Sequence, residues 1–148
     1  MKLHIERSDD CVEDEIVIRC REVNASILAI KAHIQDFALP KLIFYQGNQA
    51  FYLRREDIFF FETEGDQVYA HTHNDSFLVR HRLYELEAML SHPFMRIAKG
   101  TIVNTTHIYA IYRNFTASSK IQFSGTHKHV YVSRHYHKAL KEKMQERT

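Results

Sequence analysis

Between residues 42 and 132 the chain is cut into short apolar runs by dipeptides that turn the backbone easily. LIFYQ and AFYLR flank Gly47-Asn48, DIFFFETE and QVYAHTH flank Gly65-Asp66, SFLVRH follows Asn74-Asp75, and KIQFS and HVYVS lie either side of Ser124-Gly125. Glycine and asparagine tolerate the backbone angles that tight hairpins demand, so this punctuation predicts strands joined by turns. GTIVN and HIYAIYR supply two more runs of the same texture. One helical stretch interrupts them: RLYELEAML puts Leu83, Leu86 and Leu90 on one stripe before Pro93 stops it. HKALKEKMQER closes the chain as a basic helix. The expectation is a mostly β domain over residues 41–148, with helices near 82–91 and 134–146. Its expected core is Ile58, Phe60, Val68, Leu83, Leu86, Phe94, Ile97, Val103, Ile108, Ile121 and Val130, which keep one face of each element apolar.

Residues 1–40 have a different pattern. KLHIER and EIVIRC alternate apolar with polar around the acidic turn SDDCVEDE, which predicts two strands, and Ile27, Leu28, Ile30, Ile34 and Phe37 then recur at helical spacing. Asn24 or Ser26 can cap that helix and Pro40 ends it. The segment reads as a small β-β-α leader whose helical apolar stripe must pack on something, a second copy of the chain being the simplest partner.

Apolar residues make up 45% of the sequence and aromatics 12%, enough for a packed interior and too rich for disorder. The N-terminus lacks the apolar stretch of a secretion signal, and no segment approaches the roughly 20 apolar residues of a membrane span. Cys11 and Cys20, the only cysteines, make no disulfide framework. The chain reads as cytoplasmic with reduced thiols.

Charge is distributed unevenly. Residues 1–40 and 41–90 each carry 5 basic and 8 acidic side chains, whereas residues 91–148 carry 10 and 2, giving −3, −3 and +8. Between Ala88 and Lys141 there is no Asp or Glu, yet Arg96, Lys99, Arg113, Lys120, Lys128, Arg134, Lys138 and Lys141 fall there. A stretch that keeps cations and drops anions suits phosphate. Lys99-Gly100-Thr101 places an amine, a small residue and a hydroxyl at the mouth of a strand, where the backbone can approach a duplex closely. Ser133-Arg134-His135-Tyr136 ends a strand and opens a helix, where backbone N–H groups favour phosphate. Lys128, in the loop before HVYVS, is expected to be a phosphate contact.

Other chemistries fit less well. His71/His73, His127/His129 and His135/His137 are His-x-His pairs that could share a metal across a strand face, but no third ligand at matched spacing accompanies any pair. Glu62 and Glu64 offer paired carboxylates without an electrophile or pocket, and no nucleotide-binding or hydrolase motif is present. No catalytic residue, metal or cofactor is expected.

The order REDIFFFETEGDQVYAHT, FLVRHRLYELEAML, PFMRIAKGTIVNTTHIYAI and VYVSRHYHKALK resembles the LytTR family of bacterial DNA-binding domains over roughly residues 42–146. The most specific pieces are an F-x-R-I…V-N-x-x-x-I pattern at Phe94, Arg96, Ile97, Val103, Asn104 and Ile108, and a V-S-R-x-Y pattern at Val132, Ser133, Arg134 and Tyr136. The resemblance implies an elongated arrangement of small antiparallel sheets whose loops, rather than a recognition helix, enter successive major grooves of double-stranded DNA. It places base reading at Asp66-Gln67, at Lys99 with Gly100 and Thr101, and at His135 beside Arg134. Family members often carry serine where this chain has Gly100, and arginine or lysine where it has His135. A short leader in place of a receiver domain resembles the single-domain members, which implies an inhibitory membrane-protein partner, while the homodimer expected from the helical stripe would read two spaced repeats. The functional expectation is a sequence-specific transcription regulator. The alternative is a protein-interaction module whose basic face docks an acidic partner.

Overall fold

A computed structural model describes residues 1–38 and 41–147. The chain divides into two compact units, Met1–Ala38 and Leu39–Thr148. In the first, helix α1 (Ala25–Ala38) starts where the Asn24 side chain accepts a hydrogen bond from the Ile27 backbone N–H at 3.0 Å. Pro40, expected to end this helix, lies outside the described residues. The two strands expected before α1 are not formed: residues 1–24 hold no strand, and Leu3 and Ile5 are fully exposed. A lone two-stranded hairpin without a third layer is marginal in water, and the like charges of Asp9, Asp10, Glu13, Asp14 and Glu15 fall at its turn. Cys11 and Cys20 are free and exposed.

The second unit contains ten strands and two helices among the described residues. In chain order the strands are β1 (Phe44–Gln46), β2 (Gln49–Phe51), β3 (Phe60–Glu64), β4 (Gln67–His71), β5 (Ser76–Val79), β6 (Phe94–Ala98), β7 (Thr101–Asn104), β8 (Ile108–Tyr112), β9 (Ser119–Phe123) and β10 (His129–Val132). Helix α2 (Leu83–Met89) lies between β5 and β6, and α3 (Arg134–Arg147) follows β10. The first seven strands form one antiparallel sheet in the order β2-β1-β5-β4-β3-β7-β6, and the last three a second in the order β10-β9-β8.

Side chains alternate across a strand, and here the alternation separates two cores. On β3, Phe61 packs with Ile58, Ile102, the α2 leucines Leu83 and Leu86, and Leu90 just after the helix, whereas Phe60 packs with Val103, Ile97, Ile121, Phe123, Val130 and Leu140. Ile58 and Phe59, just before β3, divide between the same two cores, so the whole run IFFF is buried. Helix α3 seals the second core with Tyr136, Leu140 and Met144, four residues apart.

Of the expected core residues, all but Phe94 are buried. Phe94 is half-buried and packs against the first core, 5.9 Å from Phe61 between ring centroids. Strand β6 is absent from the runs read off the sequence, because Pro93 and Arg96 interrupt its apolar pattern. No described helix is long and apolar enough to cross a membrane.

Candidate nucleic-acid interface

Three of the segments singled out by sequence meet at one end of the seven-stranded sheet. Strands β3 and β4 are joined by Gly65-Asp66, with Glu64 opposite Gln67 and Gly65 in the left-handed region at φ +63°. Asp66 and Gln67 are exposed, and the Tyr69 hydroxyl donates to Gln67 Oε1 at 2.9 Å. Strands β6 and β7 are joined by Lys99-Gly100, with Ala98 opposite Thr101. Because Glu62 pairs with Thr101, this second turn emerges beside the first. The Ser133 N–H donates to the Ile97 carbonyl at 3.0 Å, which draws the start of α3 alongside β6. Exposed Arg134 and His135 are thereby set next to the Lys99 turn.

Backbone contacts hold the Lys99 turn closely. The Thr63 N–H donates to the Gly100 carbonyl at 2.9 Å, and a Cβ at position 100 would stand 2.5 Å from Thr63 Oγ1. A side chain at position 100 would therefore press on the Thr63 hydroxyl, which would have to move. Lys99 is exposed. Arg96, which charge counting places among the cations available to phosphate, turns back instead: Nε donates to the Ala98 carbonyl at 2.8 Å, Nη2 to the Lys99 carbonyl, and Nη1 pairs with Glu87 Oε2 at 2.7 Å. Glu62, close by on β3, is half-buried, and burial followed by the charge of Glu64 pushes its carboxyl up from the ordinary range.

Two expected contacts lie elsewhere. Thr101 is buried in β7 at 6% exposure, unlike the exposed Lys99 beside it. Lys128 sits in the β9–β10 turn beside the loop after β4, at the other end of β4 from Gln67, roughly 13 Å along the strand. Its Nζ donates to the Asp75 carbonyl at 2.5 Å and approaches His71 Nδ1 at 3.3 Å. Burial lowers the Lys128 pKa against the opposing effect of Asp75. Burial, then the charge of Lys128, brings His71 down to about 4, so its imidazole is neutral and accepts from the ammonium. His71 stacks on Phe60 at 4.3 Å and His73 meets Phe59 edge-on at 6.2 Å, so this His-x-His pair is divided between two phenylalanines. Among the described residues no group of three or more His, Cys, Asp or Glu is disposed to hold a metal ion.

The end carrying Asp66, Gln67, Lys99, Arg134 and His135 offers cations and hydrogen-bonding side chains on short turns held by sheet hydrogen bonds. Such projections suit a grooved polyanion better than a small molecule. Arg96 is the residue whose role sequence reading missed, and its place in the F-x-R-I pattern was the available signal.

The model of the LytTr DNA-binding domain family matches residues 48–145. Two proteins named HTH-type transcriptional regulators, from Staphylococcus aureus strains NCTC 8325 and COL, are each 28% identical over 145 residues, covering 97% of this chain and 98% of theirs. A solved LytTr DNA-binding domain from Bacillus cereus superposes with a TM-score of 0.64 at 19% identity, covering 71% of this chain and 97% of that one. At that identity the likeness concerns the fold.

Proposed function

The chain belongs to the LytTR family of DNA-binding domains, and on that premise we propose that it is a bacterial transcription regulator that reads specific duplex sequences through turns entering the major groove. The observation that carries this reading is the convergence of the Asp66-Gln67 turn, the Lys99 turn and the Arg134-His135 helix start at one end of a single sheet. A helix-turn-helix is no alternative reader among the described residues, since α1, α2 and α3 are each separated by several strands. Lys99 and Gln67 supply base-edge donors and acceptors, and Arg134 with His135 holds the adjacent groove or its phosphates. A second copy, joined through the apolar stripe of α1, lets the regulator bind two spaced repeats and multiplies affinity. The inhibitory membrane protein implied by the resemblance is the control we propose.

The test is selection of bound duplexes from a random pool, followed by fluorescence anisotropy on the preferred and a scrambled duplex. The preferred duplex should bind about 10³-fold or more tighter at physiological salt. Lys99→Ala should cost about 1–3 kcal/mol on the preferred duplex and relax one position. Equal loss on both duplexes would make Lys99 a backbone contact. No loss for Lys99→Ala or His135→Ala would favour a module that docks an acidic protein.

A further inference from the structure

We propose that Arg96, anchored by Glu87 of α2, is a positioning residue for DNA reading: it fixes the shape of the turn that presents Lys99 and does not itself touch DNA. Each carbonyl of that turn has a donor. Ala98 and Lys99 accept from the Arg96 guanidinium, and Gly100 accepts from the Thr63 N–H. A peptide plane is rigid, so holding the Lys99 carbonyl sets the plane between residues 99 and 100 and, with it, the direction in which the Lys99 side chain leaves the backbone. The β6–β7 register shifts between Arg96 and Ala98, which is where a strand pair most needs a side chain to set its geometry.

The electrostatics agree. The Arg96 side chain is 18% exposed and its charge is met by the Glu87 carboxylate at 2.7 Å. A guanidinium in that position has little left to offer a phosphate. Its planar fork can bond two carbonyls and a carboxylate together, which the point charge of a lysine cannot. Glu87 belongs to α2, so the clamp also ties the helix covering the first core to the reading turn.

The inference rests on the proposed reading of bases by Lys99, and the experiment separates the two. In the full chain, Arg96→Lys keeps the cation and loses the fork, and Glu87→Gln keeps an acceptor and loses the charge. On the selected and scrambled duplexes, Arg96→Lys should reduce the preference ratio about tenfold or more, as loss of a charge-assisted hydrogen bond does. Glu87→Gln should reduce it less. Lys99→Ala should matter less in the Arg96→Lys background than in the native chain. In Arg96→Gln, which removes the charge itself, the dependence of log K on log salt should keep its slope, because no phosphate contact is removed. A slope reduced by about 0.9 would show that Arg96 neutralises a phosphate, and an unchanged ratio in both Arg96→Lys and Glu87→Gln would show that the turn needs no clamp; either overturns the inference. Hydrogen exchange in the DNA-free protein gives a second readout: the amides of residues 98–101 should exchange about tenfold or more faster in Arg96→Lys while β4 and β9 keep their rates. Unaltered exchange there overturns the clamp. Faster exchange in a protein with no duplex preference at all would instead overturn base reading and leave the clamp standing.

Discussion

Asn104 is the family-pattern residue whose loss should be felt in stability and not in recognition. It is 1% exposed, at the end of β7. Its Nδ2 donates to the Ile58 carbonyl at 3.0 Å, and its Oδ1 accepts from the Thr106 N–H at 3.1 Å and from the Thr106 hydroxyl at 2.6 Å. In Asn104→Ala the Thr106 groups can turn to water, because Thr106 is exposed, but Ile58 is fully buried and its carbonyl stays dry. Leaving one buried acceptor unpaired costs about 1–3 kcal/mol, and exchanging the other bonds for water about 1 kcal/mol more. The total is roughly 2–4 kcal/mol, a large share of the 5–15 kcal/mol that holds a typical domain. Urea unfolding followed by circular dichroism should show the midpoint falling with the slope unchanged, and melting should drop by about 10–20 °C. Asn104→Asp keeps the acceptor but sets a carboxylate oxygen against the Ile58 carbonyl, so it should be at least as costly. A loss below about 1 kcal/mol would refute the reasoning, since water would then have to reach the Ile58 carbonyl. A changed duplex preference at a temperature where the variant is folded would refute the assignment of a purely structural role.

Gly100→Ala places a methyl 2.5 Å from Thr63 Oγ1 and should weaken binding to the preferred duplex several-fold, with about 1–3 kcal/mol of instability from overpacking. Thr63→Ala in the same chain should recover most of both, because Thr63 Cβ itself stands at 3.8 Å; no recovery in anisotropy or urea unfolding would mean that the turn needs glycine for another reason. His71 should make the fold acid-sensitive: the unfolded imidazole takes up a proton near 6.5, whereas burial and Lys128 hold the native one down at about 4. Stability should therefore be level above pH 6.5 and fall as pH drops from 6.5 toward 4, and His71→Gln should flatten that part of the profile in unfolding measured across pH. Ile30→Asp with Ile34→Asp should abolish dimerisation in sedimentation equilibrium and lower affinity for the full site more than for a half-site; a protein that dimerises as before would remove α1 from the interface.

Most of the strand order was legible because the turn dipeptides are local signals, and because Leu83, Leu86 and Leu90 carry a helical period that no strand would show. The failures share a cause. β6 escaped notice because its apolar pattern is broken by Arg96, whose burial depends on Glu87 and on two carbonyls of the following turn. Residues 1–24 were over-read because alternation signals a half-buried strand only if something covers the buried half, and nothing in a local window reports whether a covering layer exists. Thr101 was named from its place beside Lys99 and from the family resemblance, and Lys128 from its place in a loop; neither signal reports whether a side chain turns inward. Thr101 is interior because β3 and β6 flank it, and Lys128 is turned inward by Asp75, fifty-three positions away in the chain. The exposure of Lys99, Arg134 and His135 was legible because a turn or a helix start at the surface needs no distant partner.

The acid-free stretch consequently does two physically separate things. Lys99, Lys120 and Arg134 are exposed with no acid near them in sequence, so on the proposed function they would set the field that draws a polyanion in, weakened by salt and indifferent to base sequence. Arg96 and Lys128 are directed into the protein, one shaping the Lys99 turn and the other joining the β9–β10 turn to the loop after β4. Arg96, its charge met by Glu87, adds little to attraction at a distance, yet it orders the turn on which, in the proposed reading, contact geometry depends. Base discrimination needs donors placed within a few tenths of an ångström, because a hydrogen bond weakens steeply off its angle. Short turns braced by sheet hydrogen bonds and a guanidinium can meet that demand without a recognition helix. Affinity and specificity should then respond to different substitutions: the exposed lysines governing how tightly any duplex is held, and Arg96, Gly100 and Thr63 governing how well one duplex is told from another.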